Sequence, residues 1–226
     1  MLKFPDFSRK LVCRACQRET THRPLNRDRI DEDPKQIDAW TYTWRMALSM
    51  KCRDCGTMTF IIDHYVGDNR GGDPGVEKTE YFPPLPFRFK QKWFCDLPTS
   101  YQSTLNEVYV ALDNSLYCLA SGGTRTIIDC LIVDQIGDVG NFRQKVDTLV
   151  AKAIIDSDER ESLLALIDAG SASMHRSFNP SKDLINHMMD ILEKILFKVC
   201  IEPKEKKELK TKAEALRRET PRREQR

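Results

Sequence analysis

The chain has 226 residues, of which 31% are charged and 40% hydrophobic, a composition that suits a water-soluble protein with a real core in one large or two smaller domains. No apolar run approaches the roughly 18 residues of a membrane span, and the start, MLKFPDFSRKLVC, lacks the apolar region of a secretory signal. Net charge is +2, but residues 202–226 hold ten Lys/Arg against six Asp/Glu, leaving −2 for residues 1–201 and excluding a module that is basic in bulk.

The first chemistry along the chain is CRAC, with Cys13 and Cys16, repeated after 35 intervening residues as CRDC, with Cys52 and Cys55. A two-residue gap lets both thiolates of a tight turn face one ion, and two such turns complete a tetrahedral sulfur site. Four protein ligands leave no open position, so the expected cofactor is a structural Zn2+ ion in a small β zinc ribbon over residues 1–70. Gly56 frees the backbone where the second turn opens into a strand. His22 and His64 are alternative ligands, but the four thiols suffice, and His64 reads as a cross-strand neighbour. The expected compartment is a reducing cytoplasm, where cysteines are thiols or metal ligands rather than disulfides. Arg14, Arg18, Arg23, Arg27, Arg29, Lys51 and Arg53 form a mild basic patch, read equally as a solvated face or a nucleic-acid contact.

Between and after these turns lie two strand signals. WTYTWRMALSM (40–50) sets Trp40, Tyr42, Trp44, Met46, Leu48 and Met50 on one face, a period of two that a helix cannot use. TMTFIIDHYV (57–66) alternates Met58, Phe60, Ile62 and Val66, and KCRDCG joins the two runs into an antiparallel hairpin. DNRGGDPGVE (68–77) reads as a loop and YFPPLPFRF (81–89) as a proline-stiffened connector, within a linker assigned to 71–96.

Five helices are expected over 97–201. The first carries Tyr101, Leu105, Val108, Leu112, Leu116 and Leu119 at spacings of three and four, with Thr99 and Gln102 as a capping box. The second spans about 124–135, and GGTRTIID puts Arg125 and Asp129 on one of its faces. Asn141 with Gln144 and Asp156 with Glu159 cap the third and fourth. Asn179 caps the last, with Pro180 at its first position, and the run LINHMMDILEKILFKV, apolar on more than one face, places it centrally. Cys95, Cys118, Cys130 and Cys200 read as small hydrophobes on or beside apolar faces. The tail, 202–226, has helix-forming composition and no apolar face, which suits a solvated helix extension or a disordered segment.

From about residue 97 to 199 the chain resembles the HEPN-like helical family catalogued as domain of unknown function 4145. The likeness runs through LP before the first helix, the loop leading to Arg125, the acid at Asp129, FRQKVDTLVAKAII, and the GSASMH turn before the last helix. That family often carries an N-terminal zinc ribbon and a proline-containing connector. The resemblance implies an α+β chain whose second half is an all-α HEPN-like bundle that pairs as a homodimer. It also implies a polar cluster of Arg125, Asp129 and His175, with Gly170 turning the fourth helix sharply. The chain departs from the pattern at Asp129, where glutamate is usual, at Ser171, where asparagine is usual, and in LALIDAG, which lacks an expected arginine.

HEPN ribonucleases use an arginine, roughly four to six residues and a histidine, a spacing that lets one hold the phosphate while the other handles the proton. Arg176 and His187 have ten residues between them, and no other pair in the helical half fits. His187 reads as a polar residue of a helix interior. The sequence therefore favours a non-catalytic accessory protein binding nucleic acid, a nucleotide or a partner protein, in a restriction or anti-phage defence setting implied by the resemblance. The alternative is a metal-independent HEPN-type ribonuclease toxin, with Arg125 on the phosphate and His175 as acid–base. A scaffold whose only partner is another protein is the third reading.

Overall fold

The structure, a computed structural model, describes residues 8–31 and 33–220. The chain divides into two compact units, Met1–Pro86 and Phe87–Arg226, and its class is mixed α+β, an antiparallel sheet followed by helices. The sheet comprises β1 (Arg9–Cys13), β2 (Arg18–Arg29), β3 (Lys35–Gln36), β4 (Thr41–Cys52), β5 (Met58–Asp68) and β6 (Gly72–Phe82). Their order is β1-β2-β4-β5-β6, with the short β3 also paired to β4. The expected hairpin is β4–β5, in register from Thr41 opposite Asp68 to Lys51 opposite Met58. The loop expected at 68–77 and the start of the connector are instead β6. Pro74 and the glycines are tolerated there because β6 is an edge strand, and irregular register near Tyr65 and Gly67 absorbs the mismatch.

The sheet is strongly curled. Strands stand about 4.8 Å apart, so in a flat sheet β1 would lie about 14 Å from β5 and about 19 Å from β6. Yet Arg9 on β1 reaches Asp63 on β5 at 2.7 Å, and the Tyr81 hydroxyl on β6 accepts from the Val12 amide at 3.3 Å. The concave face holds a small apolar cluster of Leu11, Met50 and Ile61, with Leu48 and Tyr81 against it. On β5 the buried face is Thr59, Ile61 and Asp63. Met58 and Phe60, from the alternating apolar set, are 51% and 52% exposed on the opposite face. This orientation follows from Asp63: its Oδ1 accepts inside from Arg9 and from Thr79, each at 2.7 Å, so polar residues line the interior.

The second unit contains α1 (Thr99–Asp113), α2 (Tyr117–Ile136), α3 (Phe142–Ala151), α4 (Ser157–His175), α5 (Lys182–Leu196) and α6 (Glu202–Glu219), with a π-helical turn, Phe197–Ile201, joining the last two. Capping boxes start α3 at Asn141 and α4 at Asp156, as the sequence predicts. Other boundaries move. Leu116 and Leu119 belong to the start of α2, not to α1, and both are exposed. Thr99 makes no cap; Pro98 precedes the helix, and Gln102 reaches back to the carbonyls of Leu97 and Cys95. Ser181 caps α5 in place of Asn179, its hydroxyl accepting from the Leu184 amide. The expected GSASMH turn is the last stretch of α4.

The helix packed against α1, α3, α4 and α5 is α2, so it, rather than α5, is central. Its buried Ser121, Gly122 and Thr124 let neighbours approach closely, while Ile127, Ile128, Leu131 and Ile132 fill the core. Of the cysteines read as small hydrophobes on or beside apolar faces, Cys118 and Cys200 are half-buried, whereas Cys95 and Cys130 are exposed. Every residue of α6 from Lys204 on is exposed, as befits a solvated extension. Residues 221–226 of the tail lie outside the described residues. Among the described residues no helix is long and apolar enough to cross a membrane.

Candidate functional site

The Sγ atoms of Cys13, Cys16, Cys52 and Cys55 all lie within 4.8 Å of one another. Local backbone geometry explains how. Each C-x2-C turn closes on itself, Gln17 donating to the Cys13 carbonyl at 2.8 Å and Gly56 to the Cys52 carbonyl at 3.1 Å. The residue after each turn is left-handed, with φ of 54° at Gln17 and 79° at Gly56, a conformation open to glycine without strain. Curling of the sheet brings the end of β1 beside the end of β4 and completes the cluster. The closest approaches are 3.5 Å between Cys13 and Cys55 and 4.0 Å between Cys16 and Cys52. A tetrahedral zinc ion with bonds of about 2.3 Å sets its sulfurs about 3.8 Å apart, so the donor set fits zinc in both chemistry and spacing.

The four thiols differ in how readily they ionise. The Thr57 hydroxyl, 3.2 Å away, and the Thr57 amide draw Cys55 down to about 6. Burial opposes ionisation of Cys52, yet the Thr20 hydroxyl at 3.2 Å and the amides of Cys55 and Asp54 outweigh it, lowering the thiol overall. Cys16 is pushed up to about 12, chiefly by its hydrogen bond with Cys55 and then by burial. Burial likewise raises Cys13. Thiols held this close compete for protons, and a dication resolves the competition by binding all four as thiolates.

His22 and His64 are not part of this cluster. His22 is fully buried, with Nδ1 3.0 Å from the Thr20 carbonyl. His64 Nε2 lies 3.4 Å from the Glu80 carboxylate on the neighbouring strand. The basic patch is divided. Arg18 is paired with Asp54 at 2.6 Å and Arg14 donates to the Pro84 carbonyl at 2.7 Å, whereas Arg27 and Arg29 stand opposite Leu48 and Met46 on the concave face.

In the helical unit, Arg125 on α2 and His175 at the end of α4 meet, Nη1 to Nε2, at 3.4 Å. The arginine also lies over the Phe142 ring, 5.0 Å from its centroid. Gly170 makes the approach possible by close packing rather than by a turn: a Cβ there would stand 2.7 Å from Arg125 Cβ and 3.1 Å from the Ser121 carbonyl. A hydrogen bond of 2.9 Å between Ser173 and Ser121 ties the same two helices inside. Asp129 turns away, its carboxylate 3.5 Å from Lys145 on α3, and Lys145 in turn holds Asp138 at 2.6 Å. Arg125, Asp129 and His175 nevertheless border one surface cleft of about 400 Å3, with Leu119, Cys130 and Met174.

One polar group escaped the sequence reading. Glu193 on α5 is 4% exposed, and its carboxylate accepts from Arg88 twice at 2.8 Å, from Tyr109 at 2.8 Å and from Gln91 at 2.6 Å. Burial, then the Glu193 charge, raises the Tyr109 hydroxyl far above the ordinary tyrosine range, so it stays a donor. The signal was a lone acid on the most apolar helix. Every lone pair is used, so this network is structural.

No curated protein and no solved structure matches the chain. A family model described as Domain of unknown function (DUF4145) matches residues 106–219, from within α1 to the end of α6, and includes Arg125, Asp129 and His175. Matched over half of its length, the chain belongs to that family.

Proposed function

We propose that the chain is a non-catalytic accessory protein: a zinc ribbon braced by Cys13, Cys16, Cys52 and Cys55, and an HEPN-like helical domain that binds nucleic acid, a nucleotide or a partner protein. Its setting is the cytoplasm, in restriction or anti-phage defence; eight free cysteines suit a reducing compartment. The observation that carries the reading is the position of Asp129, which faces Lys145 and not His175. A histidine works as a general base when a second group orients its ring and a substrate lies within reach. His175 has an arginine beside it instead, and such a pair suits holding an anion such as a phosphate rather than moving a proton. Leu119 and Met174, 60% and 51% exposed on the cleft rim, are apolar surface that a second copy in a homodimer would cover.

The test is incubation of the purified full chain with total RNA, with and without chelator, together with its absorbance ratio as isolated. Intact RNA and salt-sensitive retention of an oligonucleotide or nucleotide, weakened in Arg125→Ala, are expected. Metal-independent cleavage that disappears in His175→Ala would replace this reading with the second one, a HEPN-type ribonuclease toxin. That reading is favoured by the close approach of Arg125 and His175 from helices distant in sequence.

A further inference from the structure

The concave face of the sheet carries two hollows of about 650 and 660 Å3, which run into one another at Arg27, Met46 and Pro74. One end is aromatic and cationic. Tyr42 stacks on Trp44 at 5.4 Å, and Trp44 on Tyr65 at 5.1 Å, with planes within 16° of parallel. Residue 67 permits this: a Cβ on Gly67 would stand 2.5 Å from the Tyr42 ring. The Arg29 guanidinium lies 5.6 Å from the Trp44 centroid, and Arg27 rises from the same face of β2. The other end is apolar, formed by Met46, Leu48 and Met50, with Asp63 at its floor. Asp63 is fully buried; Arg9 and Thr79 bind its Oδ1, and among the described residues Oδ2 has no hydrogen-bond partner.

A buried carboxylate oxygen left open asks for an N–H donor from whatever fills the hollow. Flat apolar walls ask for a ring, and arginines interleaved with aromatics ask for an anion beside that ring. A nucleotide strand offers all three at the required places: base faces, exocyclic amino groups and phosphates. A duplex hides its base faces and does not meet these demands. We infer that the concave face of the sheet binds single-stranded nucleic acid, with bases on the Tyr42–Trp44–Tyr65 surface and in the apolar hollow, an amino group reaching Asp63, and phosphates held by Arg27 and Arg29. This site consists of N-terminal residues alone and goes beyond the Arg125–His175 cleft.

The test uses the full chain, with zinc content measured, titrated into labelled oligo-dT, oligo-rC, a DNA duplex and an acidic peptide, followed by fluorescence anisotropy. Single strands should bind in preference to the duplex. Trp44→Leu should weaken binding about tenfold or more with an unchanged salt dependence. Arg29→Ala, at an exposed position that the fold does not need, should weaken binding and flatten the slope of log affinity against log salt by about one. In an Arg125→Ala background, which removes the contribution of the cleft, the losses caused by Trp44→Leu and Arg29→Ala should persist undiminished. The inference is overturned if Arg29→Ala and a folded Trp44→Leu bind like the parent, if duplex or acidic peptide binds as well as single strands, or if none binds. Loss confined to Arg125→Ala would also overturn it, while leaving the cleft as the binding site.

Discussion

Among the described residues, twenty-four buried apolar side chains form one continuous core in the helical unit, from Leu97 to Ile201, whereas in the sheet unit Leu11, Met50 and Ile61 alone group in this way. Burying a large apolar side chain contributes about 1.5–3 kcal/mol, and three of them fall far short of the entropy lost in ordering five long strands. The sheet is tied instead by its ladders, by the Arg9–Asp63 pair and by the thiol cluster at its end. A metal holding four thiolates contributes on the order of 10 kcal/mol to the folding of a small motif. The contrast teaches that one chain can contain a unit stabilised by packing and another whose small core leaves its order to strand ladders and to the metal proposed for its four clustered thiols.

Removing the cross-link should have the largest effect. Cys13→Ser, or a strong chelator, is expected to abolish stoichiometric zinc and cost the sheet on the order of 10 kcal/mol. The near-ultraviolet signal of the Tyr42–Trp44–Tyr65 stack should vanish while helical circular dichroism and its melting persist. A sheet that keeps its near-ultraviolet signal without zinc would remove the contrast.

Acid should separate the units in the same order. With its pKa drawn from 9.0 to about 6, Cys55 is a thiolate in the fold where a free thiol is protonated. Its contribution is complete above pH 9 and is gone once pH falls below about 6. In the helical unit the amide of Glu159, before any other group, holds the Asp156 carboxyl below 3.8. The benefit of that cap is complete above the ordinary carboxylate range and fades only as pH falls through the lowered value. Protons also compete with a metal for all four thiolates, so zinc release, read with a metallochromic dye, should precede loss of helix as pH is lowered.

Within the helical unit, Glu193→Ala leaves Arg88 without its main partner and Tyr109 without an acceptor, and should cost about 3–5 kcal/mol. Chemical denaturation followed by helical dichroism measures this, and the thiols should keep their zinc. Gly170→Ala should cost about 1–3 kcal/mol, because the new methyl meets backbone at Ser121 as well as Arg125. It should also part Arg125 from His175 and weaken whatever anion the cleft holds. The smallest effect is expected from Asn141→Ala, which removes the α3 cap for about 1 kcal/mol and should shift only the helical melting transition.

The features legible in the sequence are those written within a few residues. The C-x2-C turns, the β4–β5 hairpin and the caps at Asn141 and Asp156 depend on bonds that close over two to four positions or across one tight connection. The inward face of β5 was not legible, because alternation shows that a strand has two faces but not which one points inward. Asp63 occupies the inner face because Arg9, 54 residues earlier, reaches it. The capping of α1 failed for a related reason: Thr99 and Gln102 have the right spacing, but Pro98 leads into the helix and Gln102 finds carbonyls instead.

The sequence by itself determined the four-sulfur donor set, the division into a strand-rich and a helical half, and most helix positions, because short-range geometry and periodicity decide these. Only the tertiary structure decided that the sheet curls until β1 touches β5 and β6, that Asp129 turns to Lys145, and that Glu193 gathers Arg88, Tyr109 and Gln91. Each of those outcomes is a choice among partners far apart along the chain. Which partner wins depends on burial and distance in three dimensions, quantities that no local pattern of residues contains.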